Sequence, residues 1–494
     1  MSLVPVRIAS AVTLDAKNLS AACVDELVSA HTHPNPRYAR ARKLKTPGWW
    51  DEPANFISAR WSEGGKVLTL PRASLEWTLS TLVKHGYPPR LDDFRVEGER
   101  IVLPPNRPER QQRDYQLRLI RSGVEQPVCL WRAPPGSGKT TAAIGLIQVV
   151  CRRALVLVHM TELVTQWVRR LKEDLAGPVD FGIFQGAKRW LGRDVTIATT
   201  QSAVRHLDEL VGKFGLVVCD EVQGFAASSF QDVVAYMDAK RVVGISADER
   251  RADGREFLIY EQFGQVACEV KREELVARDL VHQVELRVVP TTFRADWWKR
   301  LSYSGRIKER DRMLEQMFSS SSRNDVVVQC AAECVREAGQ AIVLTMRREH
   351  CHAVDRMLVS AGLRSGLLIG GDDYRQQFCE TRDGFVRGDV KVGVGTLQAV
   401  GVGFDLPAAS RGIIAAPAAN SRDADKQLRQ FVGRFSRTSS GKKDAAVYYL
   451  WDKELSGPGP LQNLRRWFPG SVVVRHAGKW LPAGEYMREL RRSK

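Results

Sequence analysis

From about residue 108 onward, short apolar runs rich in β-branched residues alternate with longer segments of helical periodicity. The runs fall at 128–131, 154–158, 195–198, 216–219 and 242–245. Thr196 apart, each is apolar along its whole length rather than at every second position. That predicts strands of a parallel sheet buried on both faces, with the intervening segments as covering helices. The same texture restarts after about 282, with runs at 284–289, 341–345, 367–369, 391–395, 412–415 and 445–450. Two α/β units in succession follow. Residues 1–107 read differently, as a small α+β module. Strands are expected at 4–12 and 66–70, helices at 21–30 and 73–84, and a hairpin over 95–103 turning at Glu97-Gly98. Leu103-Pro104-Pro105-Asn106-Arg107-Pro108 reads as a linker, because consecutive prolines neither continue a helix nor donate to a ladder.

The predicted domains are therefore 1–107, 108–281 and 282–494. The last includes a helical bridge at 293–324, with a flexible turn at Ser319 to Ser322, and a C-terminal tail. Length agrees, since 494 residues exceed one ordinary core. An apolar fraction of 44% and a charged fraction of 27% fit a folded globular chain. A formal charge of +17 adds more. Cations that neutralise phosphates release condensed counterions, so this surplus points to a nucleic-acid partner. The nine cysteines are odd in number and scattered without a Cys-x-x-Cys pair, which argues for buried thiols rather than a disulfide or zinc framework. Neither a leader pattern nor a run of membrane-spanning length is expected from the sequence. The expectation is a cytoplasmic protein of a bacterial or phage-infected cell, with no membrane association.

The clearest chemistry lies after the run at 128–131. It leads into Ala133-Pro134-Pro135-Gly136-Ser137-Gly138-Lys139-Thr140, followed by a helix-like segment from Thr141. Strand, glycine-bearing loop and helix N-terminus are the context of a phosphate-binding P-loop, although alanine holds the first consensus position. Gly136 and Gly138 let backbone N–H groups turn inward without a clashing Cβ, and the helix end adds its positive pole. Lys139 is expected at the β- and γ-phosphates and the Thr140 hydroxyl on Mg²⁺. A P-loop alone is common to kinases, transporters, GTPases and motors. About 80 residues on, the run at 216–219 ends in Asp220-Glu221-Val222-Gln223. Acids at the C-terminal end of a parallel strand lie on the ligand edge of the sheet. Asp220 is expected to hold Mg²⁺ and Glu221 to act as general base toward water.

These residues, with others over roughly 108–450, resemble a superfamily 2 helicase, nearest the XPB-like and phage-type branch. The P-loop, with Pro135, Ser137 and Thr141, resembles motif I, and Asp220-Glu221-Val222-Gln223 resembles motif II with Gln in place of the frequent His. Gln112-Arg113-Asp114-Tyr115-Gln116 resembles the Q-motif, which implies that Gln116 reads adenine. The run at 154–158 with Thr161-Glu162-Leu163 resembles motif Ia, and Thr199-Thr200-Gln201 the motif that touches a nucleic-acid backbone. Gly244-Ile245-Ser246-Ala247-Asp248-Glu249 stands at motif III, with Asp248 where a hydroxyl is usual. Residues 396–405, with Thr396, Gly401, Gly403 and Asp405, resemble motif V. Gln430-Phe431-Val432-Gly433-Arg434-Phe435-Ser436-Arg437 fits the motif VI pattern Gln-x-x-Gly-Arg-x-x-Arg.

The resemblance implies two tandem RecA-like domains that use ATP and Mg²⁺. Gln430, Arg434 and Arg437 would act from the second lobe on the γ-phosphate, where a planar guanidinium can bind two oxygens at once. Gly403 and Asp405 would help hold the nucleotide. Thr161, Thr199, Thr200, Gln201, Arg347 and Thr396, with Arg348 beside them, would touch a strand through phosphate and sugar, with little base specificity. The expected activity is an ATP-dependent DNA helicase or translocase, acting on duplex or branched substrates as a monomer, with DNA favoured over RNA and room for protein partners. The alternatives are an ATPase that remodels or clamps nucleic acid without unwinding it, or the motor of a restriction or defence complex. No nuclease motif accompanies the motor motifs.

Two further segments stay open. Arg37-Tyr38-Ala39-Arg40-Ala41-Arg42-Lys43-Leu44-Lys45, then Trp49-Trp50, interleaves cations with aromatics. It reads either as a nucleic-acid contact or as a solvated basic face beside a small core. Trp297-Trp298-Lys299-Arg300 and 306–312 read as a duplex-gripping element or as a helical packing surface.

Overall fold

The computed structural model describes residues 3–35, 38, 53–62, 64–225, 232–251, 253–396, 399–400, 409–416, 422–436 and 444–492. The side chains of Tyr303, Asp372, 422–427, Gln430 and 490–492 are outside the description. The chain divides into two compact units, Met1–Arg272 and Glu273–Lys494. This division lies a few residues ahead of the expected boundary at 281/282.

The first unit opens with the small module. Its five-stranded sheet runs in the order Arg60–Trp61, Val67–Leu70, Val12–Asp15, Val4–Ile8, Pro89–Asp93. The expected strand at 4–12 is thus two antiparallel strands, Ile8 opposite Val12, with the turn at the polar Ser10. Val6, Ile8, Val12, Leu14, Leu68 and Leu70 face one core, closed by Cys23 and Leu27 of the helix Ala21–Ser29 and by Leu82 of the helix Leu75–Lys84. A small second ladder pairs Thr32–Pro34 with Asn55–Ile57.

The hairpin expected at 95–103 does not form. This segment bonds to the neighbouring α/β layer instead of to itself: Val96 N donates to Asp238 O (2.7 Å), Lys240 N to Val96 O (2.9 Å), Arg153 N to Glu99 O (2.8 Å) and Ile101 N to Cys151 O (3.1 Å). Gly98, at φ 67°, makes this possible, because a Cβ there would stand 2.2 Å from Gly215 N. The proline stretch is likewise no free linker. Leu103 and Asn106 are buried, and Arg107 N donates to Asp174 O at 2.8 Å.

The α/β layer of the first unit is an eight-stranded sheet in the order Lys188–Arg189, Phe181–Gln185, Val195–Thr199, Ala154–Val158, Leu216–Asp220, Arg241–Ser246, Val128–Arg132, Val266–Glu269. All pairings are parallel except the short edge strand Lys188–Arg189. The central strands are buried along their length, as their unbroken apolar runs require.

The second unit holds its own eight-stranded sheet, ordered Ser365–Leu368, Val392–Thr396, Ala341–Thr345, Arg411–Ile414, Ala445–Trp451, Val284–Pro290, Val472–His476, Lys479–Pro482. Its two faces bury separate cores: Ile342 and Leu344 point to one, Ala341 and Val343 to the other. The expected tail is part of this sheet. Val472 and Val474 turn inward and pair along Val284–Pro290, and Lys479–Pro482 closes the edge antiparallel. The segment 293–324 follows the strand Val284–Pro290 within the second unit. Phe293, Ala295, Met313, Leu314, Met317 and Phe318 form a small core of their own, against which Trp297 and Trp298 pack.

Candidate nucleotide site

The register of the first α/β sheet aligns the strand ends that carry the motifs. Arg132 is opposite Ser246, Asp220 opposite Ile245, and Thr199 opposite Val158. The P-loop, the Asp220-Glu221 pair, Ser246 and the turn after 158 therefore emerge at one edge. The helix Lys139–Val150 starts there, with Gly138 at φ 75° and ψ 38° as its N-terminal flank and Gly136 at φ 87°. Both conformations favour glycine.

The loop is held from behind. Gln116, buried on the helix Asp114–Glu125, donates from Nε2 to Ser137 O (3.1 Å) and Gly138 O (3.3 Å), while its Oε1 accepts from Arg113 N (2.9 Å). A Cβ on residue 138 would stand 2.3 Å from that amide nitrogen. Gln116 thus buttresses the loop from the side of the helix Asp114–Glu125. Ser137 Oγ donates to Pro134 O at 2.8 Å, which closes the turn, and Pro135 is half-buried in it. Thr141 Oγ1 donates to the buried Asp174 carboxylate (2.7 Å), which braces the first turn of the helix. Thr140 sits half-buried in the first helical turn.

Lys139 Nζ donates to Glu221 Oε1 at 2.6 Å. The other Glu221 oxygen accepts from Gln223 Nε2, and Gln223 Oε1 accepts from Ser246 Oγ at 2.7 Å. Ser246 Oγ in turn accepts from Asp248 N (3.1 Å). One relay therefore links the P-loop lysine, Glu221 and the motif III segment. The Gln at the fourth position of motif II is its connector. The Asp248 carboxylate, meanwhile, accepts from Arg250 Nε at 3.1 Å. Arg132 grips Glu249 with Nε and Nη2 (2.8 and 2.7 Å), which fastens that segment to the P-loop strand.

The two acids have opposite electrostatics. Burial, then repulsion from Glu221, pushes the Asp220 carboxyl up to about 6. Its Oδ2 accepts from the indole N–H of Trp167 at 2.9 Å. Burial also pushes Glu221 upward, but the charge and hydrogen bond of Lys139, with the bond from Gln223, outweigh it and hold Glu221 below the ordinary carboxylate range. Glu221 also has φ 54° and ψ 50°, a left-handed conformation rare away from glycine. The hydroxyl of Thr140 and the carboxylate of Asp220 are oxygen donors, of the kind Mg²⁺ prefers to softer ligands. Compensation of the buried Asp220 charge is what a divalent ion would supply.

Of the residues expected at a strand, Thr199 and Thr200 are buried, and Thr199 Oγ1 is bonded to Ser202 Oγ at 3.0 Å. Gln201 is exposed beside them. Thr161 is exposed and accepts from Gln185 Nε2 at 2.9 Å. In the second unit Thr396 stands opposite Thr345 at a strand end, its Oγ1 accepting from Ala399 N at 3.2 Å. Arg347 pairs with Asp311. Arg348 Nη2 donates to Gly370 O at 2.8 Å. Arg434 is half-buried on the helix Arg422–Phe435, whose Phe431 and Phe435 anchor it in the sheet core. Gln430 lies on the same helix. Gly401, Gly403, Asp405 and Arg437 lie outside the described residues, as does the basic stretch 37–50 apart from Tyr38. Sequence reasoning missed the roles of Trp167 and Gln223 at the acids. Their neighbourhood in motifs Ia and II was the available signal.

The fold and this site define a P-loop nucleotide-binding protein with two tandem RecA-like lobes. Residues 109–249 match the family described as type III restriction enzyme, res subunit. Over 381 residues the chain is 29% identical to "Putative DNA 3'-5' helicase Rad25" of Haloarcula marismortui, covering 75% of this chain and 56% of the relative. Over 166 residues it is 27% identical to "DNA 3'-5' translocase XPB2" of Sulfurisphaera tokodaii, covering 34% and 37%. The chain thus spans about half or less of the length of these relatives. Among solved structures, S. cerevisiae Dbp5 bound to RNA and ADP BeF3 superposes with a TM-score of 0.54 at 15% identity, over 77% of this chain and 92% of that one. That likeness shows the fold. Together with the motifs, these matches support the resemblance to superfamily 2 helicases.

Proposed function

We propose that this protein is an ATP-dependent DNA helicase or translocase. The observation that carries the reading is the relay from Lys139 through Glu221 and Gln223 to Ser246. It connects the phosphate lysine and the general-base candidate to the segment that, in such motors, answers the nucleotide state. The P-loop amides and Lys139 bind the polyphosphate. Lys139, now 2.6 Å from Glu221, would turn to the phosphates and release that carboxylate. Glu221, held below the ordinary range, remains ionised at neutral pH and accepts a proton from the attacking water. Thr140 and Asp220 would hold Mg²⁺, which neutralises charge on the phosphate oxygens. Gln430, Arg434 and Arg437 are proposed to stabilise the transferring phosphoryl group, with Gly403 and Asp405 contributing to nucleotide contacts. The names of the archaeal relatives and the charge of +17 support DNA as the track.

ATP turnover measured with single-stranded, duplex and forked DNA and with RNA tests this reading. Stimulation is expected from DNA above RNA, and strand separation on the fork. Lys139→Ala should abolish both activities. Arg437→Ala should abolish turnover while still binding ATP. Full turnover in either variant refutes the site. DNA-stimulated turnover without strand separation or movement along duplex makes the protein a remodelling ATPase instead.

A further inference from the structure

Away from the nucleotide site, the geometry points to a second ligand site: a transition-metal site of zinc type formed by His31, His33 and Glu261. These three residues alone among the described ones form a metal-competent cluster, with one ligand atom from each within 4.8 Å of the others. They come from opposite ends of the first unit. His31 and His33 flank the start of the strand Thr32–Pro34 in the small module, two residues apart and so on one face. Glu261 lies on the helix Phe257–Phe263 of the α/β layer.

Neither ring nitrogen of His31 has a hydrogen-bond partner among the described residues, although the side chain is more than nine-tenths buried. A buried polar group without a partner is uncommon and calls for an explanation. Its Nδ1 stands 3.6 Å from Glu261 Oε1, too far for a good hydrogen bond. That spacing suits two ligands of one tetrahedral ion, for which bonds of about 2.0–2.1 Å put donors roughly 3.3 Å apart. His33 Nε2 is 2.7 Å from the same oxygen and opens by about half an ångström if both bind one ion. The surroundings orient the set. Ser58 Oγ donates to Glu261 Oε2 at 2.7 Å, the His33 ring stacks on Phe257 at 4.2 Å, and His31 meets the edge of Trp77 at 5.8 Å. Two imidazoles and a carboxylate suit zinc, whereas magnesium and calcium prefer oxygen alone. His33, the partly exposed member, leaves the fourth position toward water. The site would clamp the small module to the α/β layer across a sequence separation of more than 200 residues.

The test is a Zn²⁺ titration of the reduced full chain against a competing chromophoric chelator, with Co²⁺ as a spectroscopic stand-in. One tight Zn²⁺ is expected, together with a visible Co²⁺ band lacking thiolate charge transfer, since nine free cysteines are the competing donors. Glu261→Gln and His33→Gln should each weaken Zn²⁺ at least about tenfold. His33→Gln keeps an amide donor toward Glu261 and guards against simple misfolding. Lys139→Ala should bind Zn²⁺ as the parent does. Zn²⁺ should raise the melting temperature of the parent but not of Glu261→Gln. Equal Zn²⁺ affinity in parent and both Gln variants, or a thiolate spectrum, overturns the proposal. So does the absence of tight binding by the parent.

Discussion

Glu221 carries the left-handed turn at the end of its strand and is clasped on both oxygens, by Lys139 and by Gln223. Gln223 has no reason to touch a nucleotide itself, since its amide is committed to Glu221 and Ser246. It is a positioning residue. Gln223→Ala should lower ATP turnover by roughly 10²-fold, the scale on which a misplaced general base acts. Nucleotide affinity should change little. A parallel loss of affinity, measured with a fluorescent nucleotide, would show that the relay holds the P-loop instead. In the second unit, His350 is stacked on Phe318 at 4.5 Å and bonded through Nε2 to Asn324 Oδ1 at 3.0 Å. Burial, then the nearby Arg323 charge, lowers it from 6.5 to about 3. The unfolded chain therefore takes up a proton below pH 6.5 that the folded chain refuses. Stability is fully present above 6.5 and is lost as pH falls toward 3. Between pH 7 and 5 the loss should be about 2 kcal/mol. His350→Gln should flatten that part of the pH–melting profile, and an unchanged slope would sink the assignment.

At the scale of elements, the strand ends of the second sheet are tied by one buried ion pair. Arg323 Nε donates to Asp452 Oδ1 at 2.8 Å, both side chains being almost fully enclosed. Thr291 Oγ1 donates to the same carboxylate at 2.5 Å and Arg323 Nη2 to Ala415 O at 2.8 Å. Three strand ends and the helix Ser321–Ala338 thus converge on Asp452. Asp452→Ala leaves a guanidinium buried without its counter-charge, which should cost about 3–5 kcal/mol. A denaturant melt showing less than 1 kcal/mol, a figure typical of exposed pairs, would mean the pair is solvated. None of this convergence is readable from local patterns, because Arg323 and Asp452 are 129 residues apart. The central strands were legible, since a run such as 154–158 is buried at every position. The strands Phe181–Gln185 and Val266–Glu269, towards the two ends of the first α/β sheet, were not: one carries a glycine, and the other is short, partly exposed and shifted in register. The P-loop and the acids were legible because loop chemistry demands particular residues. The tasks of Gln116, Thr141 and Thr199 were not, because the same hydroxyls and amides serve equally well as internal braces.

For the whole molecule, the charge of +17 bears on binding rather than on fold. DNA affinity should fall at least about tenfold between roughly 50 and 200 mM salt, with a linear dependence of log K on log salt concentration. A flat dependence would argue against phosphate contacts as its source. No helix among the described residues is long and apolar enough to cross a membrane.

The lie of residues 95–107 decides where the chain tolerates cutting. The proline-rich stretch looks like the natural place to separate the small module. Yet the amides and carbonyls just upstream of it complete the outer hydrogen bonds of the α/β layer. A motor fragment beginning at 108 would bare those groups at Asp238, Lys240, Arg153 and Cys151 together, and it should aggregate. One beginning ahead of Val96 keeps them covered, so the useful scissile point lies after the strand Pro89–Asp93, inside what reads as an accessory domain.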